Sequence, residues 1–263
     1  PFGESHGHVN LQEYNAFMDV TCITRKKDAI LTSIISQVTP SESSVIKRVA
    51  YEPMFTEHLR DHLGIKGVIK VSMHEPLTNI RKLIIVICER GMPSTEIWRA
   101  LYGAASLHRA AGKYVIAVND DIDPDNADAV FWAMAYRANP ALDVEILKHR
   151  DSGHGPRSDR AGGEDASVLF DATLKEDFPP ISLPKKEFML NAKEIWEELG
   201  LPELKPQVPW HGYSLGEWEE EFDVMAKRAV ESDYFKTGEI IAQRRRSDLT
   251  MNTEVRTLKD EDD

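Results

Sequence analysis

The sequence predicts a layered α/β domain with extended segments before it and a helical arm after it. Three observations predict this. Short apolar runs of strand length recur at 68–72, 83–88, 114–118 and 143–147. Helix-like stretches alternate with several of them, and buried strands separated by helices imply packed layers. The chain has 263 residues and is 41% hydrophobic, which is enough for a substantial core.

Along the chain, Val20-Thr21-Cys22-Ile23-Thr24 reads as a strand, Arg25-Lys26-Lys27-Asp28 as a charged turn and Ala29 to Ile35 as a second strand, together a hairpin. Thr39-Pro40-Ser41-Glu42 resembles a helix start, with Ser41 or Thr39 as the cap. That helix runs to about His62, and Gly64 is its natural stop. From Gly67 the pattern becomes that of strands and helices in alternation. Pro93-Ser94-Thr95-Glu96 opens a helix to about Ala111, and Asp125 to Arg137 reads as another. Asp143 to Leu147 closes the series as a strand, and 149–165 is a loop rich in Gly, Ser, His and Arg. The segment 181–216 is proline-bearing and suggests an arm. Glu217 to about Arg246 reads as one helix, with Trp218, Phe222, Met225 and Ala229 on one face.

Composition narrows the function. With 44 acidic and 32 basic residues the net charge is -12, a field that repels phosphate backbones and disfavours nucleic acid as a partner. The 2 cysteines, Cys22 and Cys88, give neither a disulfide framework nor a zinc spacing and fit a reducing cytoplasm. The longest apolar run, Leu83 to Cys88, is too short to cross a membrane. No G-x-G-x-x-G follows a strand and no G-K-[ST] occurs, which disfavours a self-contained dinucleotide enzyme or P-loop NTPase.

Four places could carry chemistry. Glu4 lies between Gly3 and Gly7, where backbone can approach a ligand closely and a carboxylate can act as general acid; the alternative is a charged residue near a terminus. His6 and His8 would share a face if extended, but two ligands do not make a metal site. Asn119-Asp120-Asp121-Ile122-Asp123 follows a strand and precedes a helix, so it is either a Mg2+ site or a helix N-terminus favoured by acidic charge. The loop from His149 to Arg157 mixes cations and neutral donors on glycines, suited to a small anion or hydroxyl groups, or is simply an exposed polar loop.

Several of these pieces together resemble the UbiD-type decarboxylases. Pro1-Phe2-Gly3-Glu4-x-x-Gly7 is similar to the family's "GPFGE-x-x-G" segment, and Cys22 to Ile30 to the strand-turn-strand after it. Asp120-Asp121-Ile122-Asp123, Trp132-Ala133 and Arg137-Ala138-Asn139-Pro140 resemble its "DDID…WA…R..P" stretch, and Asp171-Ala172-Thr173 its "DAT" element. The four motifs fall in the family's order over roughly residues 1–178.

The resemblance implies a division of the chain. Residues 1–38 would end a β-barrel-like cofactor-binding domain, 39–64 would form a linker helix, 65–180 a layered βαβ oligomerisation domain, and 181–263 a C-terminal arm and helix. Asp120 to Asp123 then become structural. The resemblance implies reversible decarboxylation of an aromatic or α,β-unsaturated acid by prenylated FMN, which serves as an electron sink, with Mn2+ and K+ beside it. Glu4 matches the glutamic acid that protonates the substrate carbon, a role that needs a raised pKa. Glu42, Ser43 and Ile46 match a pocket-lining segment, with Ile46 as an apolar wall or else a core residue. His154 falls where the pocket closes, and an imidazole there favours a hydroxylated aromatic acid. Arg137 lies near the cation and cofactor-phosphate region, or is a salt-bridging helix residue.

The family's paired acid, its catalytic arginine and the groups that hold Mn2+ and flavin phosphate would come from an N-terminal half upstream of Pro1. The expected partners are therefore that half, a carboxylic acid, CO2 and further copies in a dimer or hexamer. The competing readings are a scaffolding subunit without catalysis, told apart by whether Glu4 faces a flavin, and a Mg2+-dependent phosphotransfer domain built on Asp120, Asp121 and Asp123.

Overall fold

The computed structural model describes residues 1–4, 6–10, 14–35, 41–74, 82–151, 164–175, 182–203 and 220–245. The chain divides into two compact units, one of residues 1–178 with 201–214 and the other of residues 179–200 with 215–263.

The first unit is built on a five-stranded sheet of β3 (Val68–Met73), β4 (Leu83–Cys88), β5 (Tyr114–Asn119), β6 (Val144–Asp151) and β7 (Glu164–Asp171), in the order β3-β4-β5-β7-β6. The β4-β5 and β5-β7 pairs are parallel, and the outer strands β3 and β6 run antiparallel to their neighbours. The core follows from the two-residue period of a strand. Ile84, Val86 and Cys88 of β4 and Val115 and Ala117 of β5 join one cluster; Ile85, Ile87, Ile116 and Val118 join the other. The first cluster is covered by helix α1 (Glu42–Glu57) and by α2 (Ser94–Ser106), through Phe55, Ile97, Leu101 and Ala104. The second is covered by α3 (Ala127–Arg137), through Ala129, Val130 and Ala133. Strands buried on both faces explain the continuous run Leu83 to Cys88.

Of the two expected caps for α1, Ser41 is the one seen: its Oγ accepts from the Ser44 N–H at 3.4 Å, and both serines are buried. A π-helical turn at His58–His62 continues the helix, and Gly64 stops it in the left-handed conformation (φ 71°). Side chains of this helix bond to the outer edge of β3. Glu52 accepts from the Met73 N–H (2.8 Å), Thr56 from the Val71 N–H (2.9 Å), and Arg60 donates to the Ile69 carbonyl (3.3 Å). The match is metric: four residues of helix rise about 6 Å and two residues of strand about 6.6 Å. β6, at the opposite side, has a register break between Leu147 and Arg150, with His149 at φ 61°.

Several expectations change. The hairpin expected at 20–24 and 29–35 is not formed: residues 14–35 have neither helix nor strand and are exposed throughout. A two-stranded ribbon needs a further strand or an apolar face to be stable, and nothing described here supplies one to this segment. A smaller hairpin lies upstream, with β1 (Phe2–Gly3) antiparallel to β2 (Val9–Asn10). β6 extends past Leu147 to Asp151 and pairs with β7, a strand the sequence reading did not anticipate; of the expected 149–165 loop, 152–163 lie outside the described residues.

The second unit contains α4 (Lys186–Glu198), within the expected arm, then α5 (Glu220–Val230) and α6 (Tyr234–Arg245). The single helix expected from 217 to 246 is therefore two. Ser232 takes a left-handed conformation (φ 60°), its N–H bonds the Ala229 carbonyl, and Asp233 N–H bonds the Arg228 carbonyl, the paired bonds of a Schellman stop.

Candidate functional site

Glu4 sits where the β1–β2 hairpin turns. Its N–H donates to the His8 carbonyl and its carbonyl accepts from Gly7 N–H, both at 2.9 Å. Gly7 has φ 89°, a conformation that a side chain disfavours, which accounts for glycine at this corner. The backbone of Glu4 is thus fixed from both sides, and its side chain is half-buried. His8 N–H donates to His6 Nδ1 at 3.3 Å, and the two rings lie 5.7 Å apart. Among the described residues no group of three or more His, Cys, Asp or Glu is placed to hold a metal ion.

Glu42, Ser43 and Ile46 come together on the first turn and a half of α1. Ser43 Oγ lies 3.1 Å from the Oγ of the cap Ser41, and Glu42 is exposed in the first turn, where negative charge favours the helix dipole. Ile46 is 57% exposed, so it is not the core residue of the alternative expectation. Val45 and Val49 are exposed beside it, and they continue an apolar stripe along the helix. Glu4 is held on a separate element, the hairpin. His154 lies outside the described residues.

The carboxyl ends of the parallel strands, where open α/β sheets usually take ligands, are filled by side chains bonded to one another. Asn119 donates to the Cys88 and Glu89 carbonyls (3.2 and 3.3 Å) and accepts from Leu174 N–H, tying the ends of β4, β5 and β7. Asp121 and Arg137 form a fully buried two-pronged pair, at 2.9 and 2.5 Å. The Arg137 guanidinium also lies 5.2 Å from the centre of the Trp132 ring. Arg90 approaches both Asp120 and Asp121 at 3.6 Å. Asp171 accepts from the N–H and hydroxyl of Thr173, and Lys175 pairs with Asp171 at 3.1 Å. Asp123 accepts from Asp125 N–H in the turn before α3. Arg137 and Arg90 thus face Asp121, and a backbone N–H engages Asp123, among the acids that a Mg2+ ion would need.

Of the expected polar loop, His149, Arg150 and Asp151 are on β6. Arg150 donates to Ser167 Oγ (3.2 Å) and to the Ala105, His108 and Ala111 carbonyls at the end of α2, where a cation suits the dipole. His149 Nδ1 lies 2.6 Å from Glu164. Nearby, burial alone would raise Asp165, but the Ala166 N–H and the Lys113 and Lys82 ammonium groups outweigh it and hold the carboxyl below its ordinary value. The reading of the sequence also passed over Gly212-Tyr213-Ser214-Leu215-Gly216, which spells G-x-S-x-G. It lies outside the described residues.

Residues 44–172 match the family model described as the 3-octaprenyl-4-hydroxybenzoate carboxy-lyase C-terminal domain, UbiD_C. This chain carries the C-terminal domain of the UbiD family. The match takes in α1 from its first turn, the whole sheet and the Asp120–Asp123 and Arg137 motifs. Similar solved structures include the UbiD-class enzyme HmfF from Pelotomaculum thermopropionicum in complex with FMN, at 22% identity over 60% of this chain and 36% of that one, with a TM-score of 0.48. The open form of vanillic acid decarboxylase from Sedimentibacter hydroxybenzoicus is 18% identical over 63% and 36%, with a TM-score of 0.47. Apo 3,4-dihydroxybenzoic acid decarboxylase from Klebsiella pneumoniae is 19% identical over 59% and 35%, with a TM-score of 0.46. The chain spans about a third of the length of these relatives. Among the described residues, no helix is long and apolar enough to cross a membrane.

Proposed function

We propose that this chain is the C-terminal portion of a reversible, non-oxidative decarboxylase of aromatic or α,β-unsaturated acids. What supports the reading is the UbiD domain over residues 44–172, preceded by the Pro1–Gly7 segment, whose resemblance to the family's motif would put Glu4 in the proton-donor position. Prenylated FMN, when bound, supplies the electron sink that accepts the charge left by departing CO2. Among the described residues no group of three or more His, Cys, Asp or Glu is placed to hold a metal ion, and the Arg137 guanidinium is bonded to Asp121. Phosphate, Mn2+ and K+ would be held by an N-terminal half, and no step here runs through them.

This chain's own residues would do three things. Glu4, with its backbone locked in the hairpin, would give its proton to the carbon that has lost CO2. Ile46 would lie against the substrate's apolar face, with Glu42 and Ser43 at the rim. His154 would donate to a ring hydroxyl, which favours hydroxylated aromatic acids. The exposed segment 14–35, with Ile23, Ile30 and Leu31 each more than 80% exposed, would pair with sheet from the N-terminal half. Homo-oligomers, dimer or hexamer, are the proposed assembly.

The scaffolding reading has one observation in its favour: the strand ends that could take a ligand are closed by Asn119, Asp121–Arg137 and Asp171–Thr173. A single experiment separates the two. The chain joined to its upstream half and loaded with prenylated FMN is assayed for CO2 release from hydroxybenzoates and cinnamates, beside Glu4→Gln. Release that falls by about 100-fold or more in the variant supports the decarboxylase. Silence across the panel with cofactor bound favours the scaffold.

A further inference from the structure

The pocket-lining candidates Glu42, Ser43 and Ile46 lie on the first turns of α1, so the way those turns are held sets how they are presented. Ile46 and Arg48 are two residues apart, about 200° around the helix, so they face nearly opposite ways. Ile46 is exposed, whereas Arg48 points into a polar junction. Its Nε donates to Glu52 Oε1 (2.7 Å), and its Nη2 to Asp125 Oδ1 (2.6 Å) and, more distantly, Ser72 Oγ (3.4 Å). Glu52 Oε1 also accepts from Ser72 Oγ (3.1 Å) and the Met73 N–H (2.8 Å). Arg48 and Glu52 side chains are only 24% and 25% exposed. One guanidinium therefore joins α1, the end of β3 and the turn that follows the Asp120–Asp123 motif.

We propose that Arg48 is a positioning residue for the substrate pocket, fixing the first turns of α1 and so the direction in which Ile46 and Ser43 are presented. The proposal rests on the decarboxylase reading above. The junction needs a planar fork, since Arg48 meets carboxylates on two separate elements. A lysine offers a single point charge and can satisfy only one of them well. Asp125 gains a role as the anchor that the turn after the acidic motif holds out toward the helix. The later turns of α1 would still hold the fold, because Phe55 and Leu59 remain buried in the core and Thr56 stays bonded to β3, while the first turns would loosen. The apolar wall would then meet the substrate at varied angles.

The test uses Arg48→Met, Arg48→Lys and Asp125→Asn, each in the flavin-loaded enzyme joined to its upstream half and each also in the 263-residue chain alone. In the enzyme, KM is expected to rise about tenfold for Arg48→Met and Asp125→Asn, with kcat within about twofold, and Arg48→Lys to fall between. In the chain alone, amide exchange at 45–48 is expected to quicken while the core strands keep their protection. Unchanged KM in an active enzyme overturns the positioning role, and so does unchanged exchange at 45–48. A loss of kcat and of thermal stability at constant KM assigns Arg48 a structural role and also overturns it. If the wild-type enzyme with bound flavin releases no CO2, the parent reading fails and takes the pocket with it; that outcome is recognised in the wild type, before any variant is compared.

Discussion

Asp121→Asn is the substitution with the largest expected effect on stability. Arg137 is 2% exposed, and both its terminal nitrogens are bonded to the Asp121 carboxylate. Removing one partner of a buried pair leaves an uncompensated charge and costs about 3–5 kcal/mol. Arg90, 3.6 Å from Asp121, would worsen the loss, since two guanidinium groups would then share the space with only Asp120 between them. For a chain of this size that cost corresponds to a fall in Tm of roughly 6–20 °C. Urea titration of the variant, followed by far-UV circular dichroism, measures it. The paired change Asp121→Leu with Arg137→Met removes both charges, and such replacements are commonly neutral or stabilising. It is expected to restore most of the loss. A single variant within about 1 kcal/mol of wild type, or a double variant no better than the single, would refute the assignment of this pair as a coupled buried unit.

Thr56→Val is expected to cost about 1–3 kcal/mol by leaving the Val71 N–H without its acceptor, and chemical denaturation reads it directly. Asp165 has a folded pKa below its unfolded value, so its contribution to stability is present above about pH 4 and disappears as the pH falls through the lower folded value. Asp165→Asn should flatten that acid limb of the stability curve, and an unaltered limb contradicts the Lys113 and Lys82 pairing. Cys88 is buried, its thiol pushed up to about 12 by desolvation and by Asp171, whereas Cys22 is exposed. A thiol reagent should therefore label one equivalent in the native chain and a second only after unfolding; rapid labelling of both would place Cys88 wrongly.

Much of the α/β body was legible because its signals are local. Leu83 to Cys88 and Tyr114 to Val118 declared themselves as runs that only two-sided burial explains, and Ser41 and Gly64 marked the ends of one helix by capping chemistry. β7 was hidden because it opens with Glu164 and Asp165, whose partners Lys113 and His149 are remote in sequence. The break between α5 and α6 was hidden because Ser232, not glycine, takes the left-handed position. Residues 20–35 carry the composition of strands but form none, since strand propensity reports fitness for a neighbouring surface more than an intrinsic backbone preference. For the candidate site, Glu4 could be nominated from its glycines. The bond from Arg137 reaches sixteen residues back to Asp121, which no local pattern records.

The bonds from Glu52, Thr56 and Arg60 to β3 bear on how copies of this chain can associate. An open strand edge invites another chain to add to it, and repeated addition yields fibrils rather than closed assemblies. Here Met73, Val71 and Ile69 have already spent their outward backbone groups on a helix of the same chain. At the far side, the register break at Leu147–Arg150 and the charged Lys148 spoil β6 as a template. Among the described residues sheet extension is thus disfavoured at both edges, which directs any association of copies toward side-chain faces, where symmetry rather than strand pairing sets the number of copies.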